Sequence, residues 1–267
     1  MIHRAHFFPW MGGKSAVAAR LAAILPDHRC YVELFAGAAN VLLAKDRPPG
    51  SAEILNDVND DLVNLFRVVR CHSRALITEL AYQPHARSDF SAYRRQQGLT
   101  DIQRAGRYLA ILKMSFGGTG GTTHPTFGYG TTGRSKLNAS VISTIRRVAR
   151  RLDGVTVEHL DFADCIKRYD RPHTVFFADP PYYQTAGYAD GFGREDHARL
   201  AKRLAGIKGR FLMTINDHKV IRDLYHGFTI RRRAVRYSVS RKKDAASQAR
   251  RAELLIANYP LPKRINW

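Results

Sequence analysis

The segment VFFADPPYY, residues 175–183, begins with four apolar residues. A carboxylate, two prolines and two tyrosines follow them. The run from Val175 to Ala178 predicts a buried β-strand, and the prolines end its ladder because proline has no amide proton to donate. Asp179 should therefore project from the carboxyl end of the strand. Open α/β sheets bind their ligands at this edge, where a carboxylate beside an aromatic face can hold and polarise a flat amine. The stretch predicts a catalytic site.

Length and charge narrow the class of protein. The chain has 267 residues, of which 45% are hydrophobic, enough for one large α/β domain or a core domain with an insertion. Lysine and arginine total 43 against 23 acidic residues, a formal charge of +20. A field of this sign attracts polyanions, so nucleic acid is the first partner to consider. A generally basic soluble protein and a protein that binds anionic membranes are the alternatives.

The cysteines and the N-terminal residues bear on where the protein works. Cys30, Cys71 and Cys165 are isolated, with no Cys-x-x-Cys pair to indicate zinc or a redox couple. The first ten residues contain no apolar stretch of signal-peptide length, and no later segment is long enough to cross a bilayer. We therefore expect a cytoplasmic protein that uses no metal and is not inserted in a membrane.

The chain opens with a βαβα pattern. Strands are predicted at Tyr31 to Phe35 and Ala52 to Leu55, each followed by a helix, at Asn40 to Lys45 and Asn59 to Arg70. Five later strands are predicted at Thr156 to Leu160, Thr174 to Ala178, Phe211 to Ile215, Phe228 to Arg233 and Leu254 to Tyr259. Apolar strands that alternate with helices predict an α/β fold with a Rossmann-like, mostly parallel sheet.

The segment 71–152 interrupts this pattern with helices rich in Arg, Tyr and Gln and with two glycine-rich stretches, 117–123 and 127–133. We interpret it as a helical and hairpin subdomain inserted into a core domain formed by residues 1–70 and 153–267. Phe127, Tyr129, Arg134 and Lys136 in the glycine-rich part favour a β-hairpin or a loop that becomes ordered on a partner over a disordered linker.

Three short motifs lie where a ligand could bind. Glu33 to Ala38 connects a strand to a helix with small residues, so backbone N–H groups can approach a polar ligand, although an ordinary tight turn looks the same. Asp57 follows the next strand, where an acidic residue can bind ribose hydroxyls or cap the following helix. The segment from Trp10 to Lys14 lacks the first glycine of a P-loop. It can still cradle a carboxylate, and a surface turn with a solvated lysine is the alternative.

Four segments in this order resemble the Dam-type DNA adenine N6-methyltransferases, the D12 class in the α group of amino-methyltransferases. They are Trp10-Met11-Gly12-Gly13-Lys14, Val32-Glu33-Leu34-Phe35-Ala36-Gly37, Asn56-Asp57-Val58-Asn59-Asp60-Asp61-Leu62 and Asp179-Pro180-Pro181-Tyr182. The resemblance implies a class I methyltransferase fold, S-adenosylmethionine as methyl donor and a target-recognition role for the insert. It also implies a bacterial or phage-encoded protein that acts on double-stranded DNA, as a monomer or a weak dimer.

The resemblance assigns roles to single residues. The cofactor site would contain Trp10, Lys14, Asp57 and Asp179, with Phe35 and Gly37 as its floor and Asp161 and Phe162 beside the cofactor's adenine. A helix N-cap explains Asp161 equally well.

The same motif implies the catalytic residues. Asp179 and the carbonyl of Pro180 would accept hydrogen bonds from adenine N6 while the methyl group arrives, with no metal. The adenine would flip out of the duplex and stack on Tyr182, for which Tyr183 is the competing candidate.

Basic residues in two places predict contacts to DNA phosphates. They are Lys113, Arg134 and Lys136 in the insert and Arg236, Arg241, Lys242 and Lys243 before the last strand, and solvated basic loops are the alternative. The insert lacks the Asn- and Arg-rich hairpin of the familiar Dam subgroup, so we expect relaxed specificity or a recognition sequence other than GATC. An inactive DNA-binding relative and an RNA adenine methyltransferase are the alternative functions.

Overall fold

A computed structural model describes residues 6–128, 137–184, 191–235 and 251–262. Its strands are β1 (Cys30–Glu33), β2 (Ala52–Asn56), β3 (Thr156–Glu158), β4 (Thr174–Ala178), β5 (Arg210–Asn216), β6 (Thr229–Val235) and β7 (Arg251–Ala257). They form one sheet in the order β3-β2-β1-β4-β5-β7-β6. The strands β1 to β5 are parallel to one another, and β7 is antiparallel to both β5 and β6. The predicted Rossmann-like, mostly parallel sheet is confirmed.

Helices cover both faces of this sheet. They are α1 (Ala18–Ala22), α2 (Asn40–Ala44), α3 (Asp60–Ala81), α4 (Arg87–Arg95), α5 (Asp101–Met114), α6 (Ala139–Arg151), α7 (Phe162–Tyr169), α8 (Arg194–Ala205) and α9 (Lys219–Leu224). Successive side chains of a strand point to opposite faces, so Phe177 packs with α1 to α6 and Phe176 packs with α7 to α9. A sheet covered on both faces needs strands that are apolar throughout, and every residue of β4 is buried.

The order of the strands fixes where a ligand can bind. β1 lies between β2 and β4, and the chain continues from β1 toward β2 on one side and later returns to β4 on the other. The two βα connections therefore diverge above the carboxyl ends of β1 and β4 and leave a crevice between them. Glu33 ends β1, and Asp179 directly follows β4.

The segment 71–152, interpreted above as an insert, packs on the sheet through one shared hydrophobic cluster. Leu109 of α5 and Ile145 of α6 belong to the same cluster as Tyr31 of β1 and Phe177 of β4. The helix predicted to end at Arg70 continues to Ala81, with non-helical backbone angles at His72. The helix α3 packs against α5 and α6 and therefore extends past the domain boundary proposed at residue 71. Its kink at His72 lies next to that boundary.

A buried ion cluster holds the end of the insert to the sheet. Glu53 of β2 accepts hydrogen bonds from Lys45 at 2.6 Å, Arg47 at 3.0 Å and Arg151 at 2.6 Å. Burial alone would raise the pKa of Glu53, but the hydrogen bonds from Arg151 and Lys45 outweigh it and the pKa is lowered. The buried carboxylate needs such partners because an uncompensated buried charge destabilises a fold strongly.

In its described part the glycine-rich stretch differs from the β-hairpin alternative, and the loop alternative stays a prediction. Phe116–Gly121 is a short 3-10 helix rather than a strand of a hairpin, with positive φ angles of 63° at Gly117 and 78° at Gly118. Ser115 and Phe127 form an isolated antiparallel bridge across it. The rest of the predicted hairpin, residues 129–136, lies outside the described residues. Two consecutive positive φ angles are accessible to glycine at little cost and are incompatible with an extended strand.

Candidate active site

A cavity of about 320 Å³ opens at the carboxyl edge of the sheet, between the ends of β1 and β4. Every residue predicted for the cofactor site lines it: Trp10, Lys14, Phe35, Gly37, Asp57, Asp161, Phe162 and Asp179. These residues come from five separate parts of the chain, and the sheet topology brings them together.

The turn after β1 forms the floor of the cavity. Gly37 has a φ of +46°, and its backbone amide donates to Oδ2 of Asp57 at 3.0 Å. A Cβ atom at this position would lie 2.7 Å from Nε1 of Trp10, so any side chain would have to displace the indole. Glycine is therefore required both by the backbone angle and by the indole that packs on it.

Asp57 stabilises this turn but does not cap α3. Its Oδ1 accepts from the amide of Asn59 at 3.0 Å, and Asn59 itself is the N-cap, accepting from the amide of Leu62 at 2.9 Å. Burial raises the pKa of Asp57, while hydrogen bonds from Gly37 and Asn59 oppose that rise. The cap alternative for Asp57 is wrong, and its carboxylate lines the cavity.

Asn56 ties three strand ends together. Its side-chain amide donates to the carbonyls of Leu34 at 3.0 Å and Leu160 at 3.1 Å, and its Oδ1 accepts from the amide of Leu160 at 3.0 Å. A buried amide with three satisfied hydrogen bonds fixes the spacing of the loops after β1, β2 and β3.

One end of the cavity is an aromatic slot. The rings of Phe35, Phe162 and Phe192 pack with centroid distances of 5.6–5.7 Å. The guanidinium of Arg199 lies 4.3 Å from the centroid of Phe162 and pairs with Asp161 at 2.9 Å. Asp161 also caps α7, accepting from the amide of Ala163 at 2.8 Å, which confirms the N-cap role, and the residue lines the cavity.

Asp179 is held from two sides. Its Oδ2 accepts from Lys14 Nζ at 2.7 Å, and its Oδ1 accepts from the Thr214 hydroxyl at 2.6 Å. Burial raises the pKa of the carboxyl group, and Lys14 and Thr214 oppose that rise. Sequence reasoning missed Thr214, although a hydroxyl residue inside the apolar strand β5 was a visible signal.

Tyr182 and Tyr183 have different surroundings. The ammonium of Lys14 lies 5.0 Å from the centroid of the Tyr182 ring, and the Tyr182 hydroxyl donates to Glu253 of β7 at 2.8 Å. Tyr183 packs between His197 and His218, and its backbone is hydrogen-bonded in both directions to the side chain of Asn216. Tyr182 is therefore the tyrosine beside Lys14 and Asp179. Pro180 is buried, and Pro181 lines the cavity.

Two more cavity residues were not predicted for the site. The carboxyl group of Glu33 accepts from the Tyr31 hydroxyl at 2.9 Å and the Leu42 amide at 2.8 Å, and burial raises its pKa to about 8. Gly121 belongs to the insert, and a Cβ atom on it would overlap the six-membered ring of Trp10. The Trp10 indole is thus enclosed between Gly37 of the core and Gly121 of the insert.

Of the residues predicted to contact DNA, one makes an internal hydrogen bond and the others lie outside the residues that the structure describes. Lys113 is half-buried, its ammonium donates to the carbonyl of Phe7, and burial lowers its pKa to about 8. This internal hydrogen bond gives no support to Lys113 as a phosphate contact, because its helix turns it toward the N-terminal segment. The other predicted contacts lie outside the described residues: Arg134, Lys136, Arg236, Arg241, Lys242 and Lys243.

The cavity chemistry suits S-adenosylmethionine. Its carboxyl groups match a cationic sulfonium and ribose hydroxyls, and its aromatic slot matches an adenine ring. Among the described residues, no three His, Cys, Asp or Glu side chains are grouped to hold a metal ion. No helix in the same ranges is long and apolar enough to span a bilayer.

Comparisons with known proteins agree with this geometry. The retron Ec67 DNA adenine methylase of Escherichia coli is 28% identical over 82% of this chain and 80% of its own length. The type II methyltransferase M.MjaIII of Methanocaldococcus jannaschii is 25% identical over 95% of this chain and 98% of its own length. The DNA adenine methylase of Escherichia coli K12 is 25% identical over 95% of both chains.

A family model also matches most of the chain. Residues 10–239 match the model of the D12 class N6 adenine-specific DNA methyltransferases, a span that includes all four motifs. The predicted reaction, methyl transfer to adenine N6 in DNA, and the predicted methyl donor, S-adenosylmethionine, are those of this family. The chain belongs to the D12 class of N6 adenine-specific DNA methyltransferases.

Proposed function

We propose that Asp179, Pro180 and Tyr182 form the methyl-transfer site for an adenine flipped out of duplex DNA. The observation that carries this proposal is the position of Asp179: its carboxylate is fixed by Thr214 and Lys14 at the edge of the cavity that contains the cofactor residues. An acceptor fixed before the substrate arrives needs no reorganisation during the reaction.

The cofactor would lie along the cavity between two chemically distinct ends. Phe35 and Phe162 would hold the adenine ring, Asp57 would accept hydrogen bonds from the ribose, and Lys14 and Trp10 would contact the amino-acid end. Bound there, S-adenosylmethionine supplies an electrophilic methyl group on a sulfonium. Glu33, buried at the end of β1, would offer a carboxylate to that positive charge.

The protein residues act on the amine. Because the N6 lone pair is delocalised into the purine ring, the amine is a poor nucleophile. Hydrogen bonds from its two protons to Asp179 and to the Pro180 carbonyl favour a pyramidal nitrogen and stabilise the positive charge that develops on it. Asp179 or solvent then accepts the released proton, and the raised pKa of Asp179 suits that role.

Tyr182 would receive the extruded base. Flipping costs a few kcal/mol, and stacking on an aromatic ring recovers part of that cost. The hydrogen bond from the Tyr182 hydroxyl to Glu253 fixes the orientation of the ring. The insert at 71–152 would read the sequence around the adenine, with relaxed specificity or a site other than GATC. We further propose that the protein acts in the cytoplasm as a monomer or weak dimer.

Replacing Asp179 by alanine tests the central assignment. We expect the rate of methyl transfer to fall by at least about 10²-fold, because a preorganised acceptor is lost, while DNA affinity, dominated by phosphate contacts, changes little. The assay is incubation of labelled cofactor with duplex DNA and, in parallel, with RNA, followed by identification of the labelled nucleoside. Labelled cytosine, preferential labelling of RNA or retained turnover by the variant would contradict the proposal.

Replacing Thr214 by valine tests how Asp179 is positioned. The loss of one hydrogen bond should lower kcat by about tenfold, because a charge-assisted hydrogen bond contributes about 1.5–3 kcal/mol, and leave the cofactor Kd unchanged. Thr214→Ser keeps the hydroxyl and should restore most of the rate. Equal losses in both variants would mean that the packing of β5, rather than the hydroxyl, matters.

Replacing Gly121 by alanine tests whether the insert forms a wall of the cofactor site. The added methyl group must displace the Trp10 ring, so cofactor affinity should fall by about tenfold, as expected for a loss of about 1.4 kcal/mol. Gly191 also lines the cavity but has open space around its Cβ position, so Gly191→Ala is the matched control and should bind normally. Equal cofactor affinities in the two variants, measured by titration calorimetry, would refute the prediction.

Replacing Glu33 by glutamine tests the buried carboxyl group. With a pKa of about 8, Glu33 is mostly protonated at neutral pH, and a cationic cofactor favours its ionised form. Cofactor affinity should therefore rise with pH between 6 and 8, by up to about tenfold per unit, and this rise should be smaller in Glu33→Gln. The cofactor's own amino group titrates near pH 8 in both proteins, so the difference between the two pH profiles reports Glu33. Identical profiles would exclude the predicted ionisation.

A further inference from the structure

Lys14 occupies an unusual position for a residue expected to bind the cofactor. Its ammonium donates to Oδ2 of Asp179 at 2.7 Å and to the carbonyl of Gly12 at 2.7 Å, and it lies 5.0 Å from the centroid of the Tyr182 ring. The side chain is only 6% exposed. Asp179 and Tyr182 are also the two side chains proposed to receive the target adenine.

We propose that Lys14 orders the reaction: its ammonium holds the place of the adenine amine at Asp179 until the cofactor's carboxylate draws it away. The proposal rests on the function proposed above and adds a second role for Lys14 at the same site. An adenine offering N6 to Oδ2 of Asp179 and stacking on Tyr182 needs the space that the ammonium fills.

The electrostatics favour an exchange of partners rather than a simple release. A buried ammonium needs an anion close by, because an unpaired buried charge is costly. Lys14 lines the same cavity as Trp10 and Gly37, so a carboxylate bound at the amino-acid end would lie within reach of its long side chain. Lys14 can therefore leave Asp179 when that second carboxylate is present and remains paired throughout.

The hydrogen bond from Thr214 would hold the Asp179 carboxylate in place while Lys14 moves. Thr214 lies on β5, is fully buried and holds Oδ1 at 2.6 Å. When the ammonium leaves, Oδ2 stays at the cavity edge with one acceptor site unfilled. The neutral donor from β5 is thus the fixed support, and the cation from the N-terminal segment is the exchangeable one.

The backbone before Lys14 forms a tight turn. Gly12 has a φ of +73°, and the amide of Gly13 donates to the carbonyl of Trp10 at 3.0 Å, which closes a tight turn just before Lys14. A Cβ atom on Gly13 would lie 3.0 Å from that carbonyl. The turn is fixed by these contacts, so the exchange needs only side-chain rotation.

The experiment measures capture of the adenine instead of methyl transfer. A duplex carrying a methylatable site has 2-aminopurine beside the target adenine, so that the target keeps its N6 and the neighbour's fluorescence rises when the target leaves the stack. S-adenosylhomocysteine has the cofactor's carboxylate, whereas 5′-methylthioadenosine has the adenosine part without it. Each ligand is present at saturation, as shown by calorimetry.

Wild-type protein should give a fluorescence increase of at least threefold with S-adenosylhomocysteine and little change with 5′-methylthioadenosine or with no ligand. Lys14→Met should give at least half of the full increase with no ligand, because nothing then competes for Asp179. Lys202→Met, on the exposed surface of α8, is the matched control and should behave as the wild type. Thermal unfolding of each variant establishes that it is folded.

An increase in the wild type that does not depend on the carboxylate would overturn the ordering role and leave the proposed function intact. So would a Lys14→Met protein that still requires S-adenosylhomocysteine. The absence of any increase in wild type with S-adenosylhomocysteine would instead overturn the proposed base capture itself. The wild-type ligand comparison decides the question even if Lys14→Met does not fold.

Discussion

A partly buried carboxylate held by two partners organises this protein. Asp179 follows the fully buried strand β4, and its two oxygens are held by Thr214 from β5 and by Lys14 from the N-terminal segment. An unpaired charge at this depth would shift toward its neutral form or destabilise the fold. The pairing therefore connects the centre of the sheet to a segment 165 residues away in sequence, and it leaves an acceptor at the edge of the cavity.

The cofactor site and the insert form a continuous structure. Trp10 lies between Gly37 of the turn after β1 and Gly121 of the insert, so a shift of the insert moves one wall of the cavity. The hydrophobic cluster under α5 and α6 is shared with β1 and β4, and Arg151 pairs with Glu53 of β2. Packed side chains of the segment 71–152 thus form part of the wall of this cavity.

The sequence predicts the parts of the site that local chemistry dictates. Prolines must end β4, so Asp179 must lie at its carboxyl end, and the glycine turn after β1 has to approach a ligand closely. Phe192 and Arg199 could not be assigned from the sequence because their roles arise from neighbours far along the chain, whereas Thr214 had one local signal, a hydroxyl group inside an apolar strand. Lys113 shows the converse: its positive charge suggested DNA, but the face of α5 it occupies turns it inward. The 3-10 helix at Phe116–Gly121 depends on packing against Trp10, which glycine content alone does not specify.

A crystal structure with S-adenosylhomocysteine and a duplex containing the target adenine tests most directly whether Asp179 receives the adenine amine. We expect the adenine to lie outside the double helix, with N6 within hydrogen-bond distance of Asp179 and the ring stacked on Tyr182. The ammonium of Lys14 should pair with the carboxylate of the cofactor analogue. An adenine bound in the cavity with Lys14 still on Asp179, or a base held away from Asp179 altogether, would contradict it.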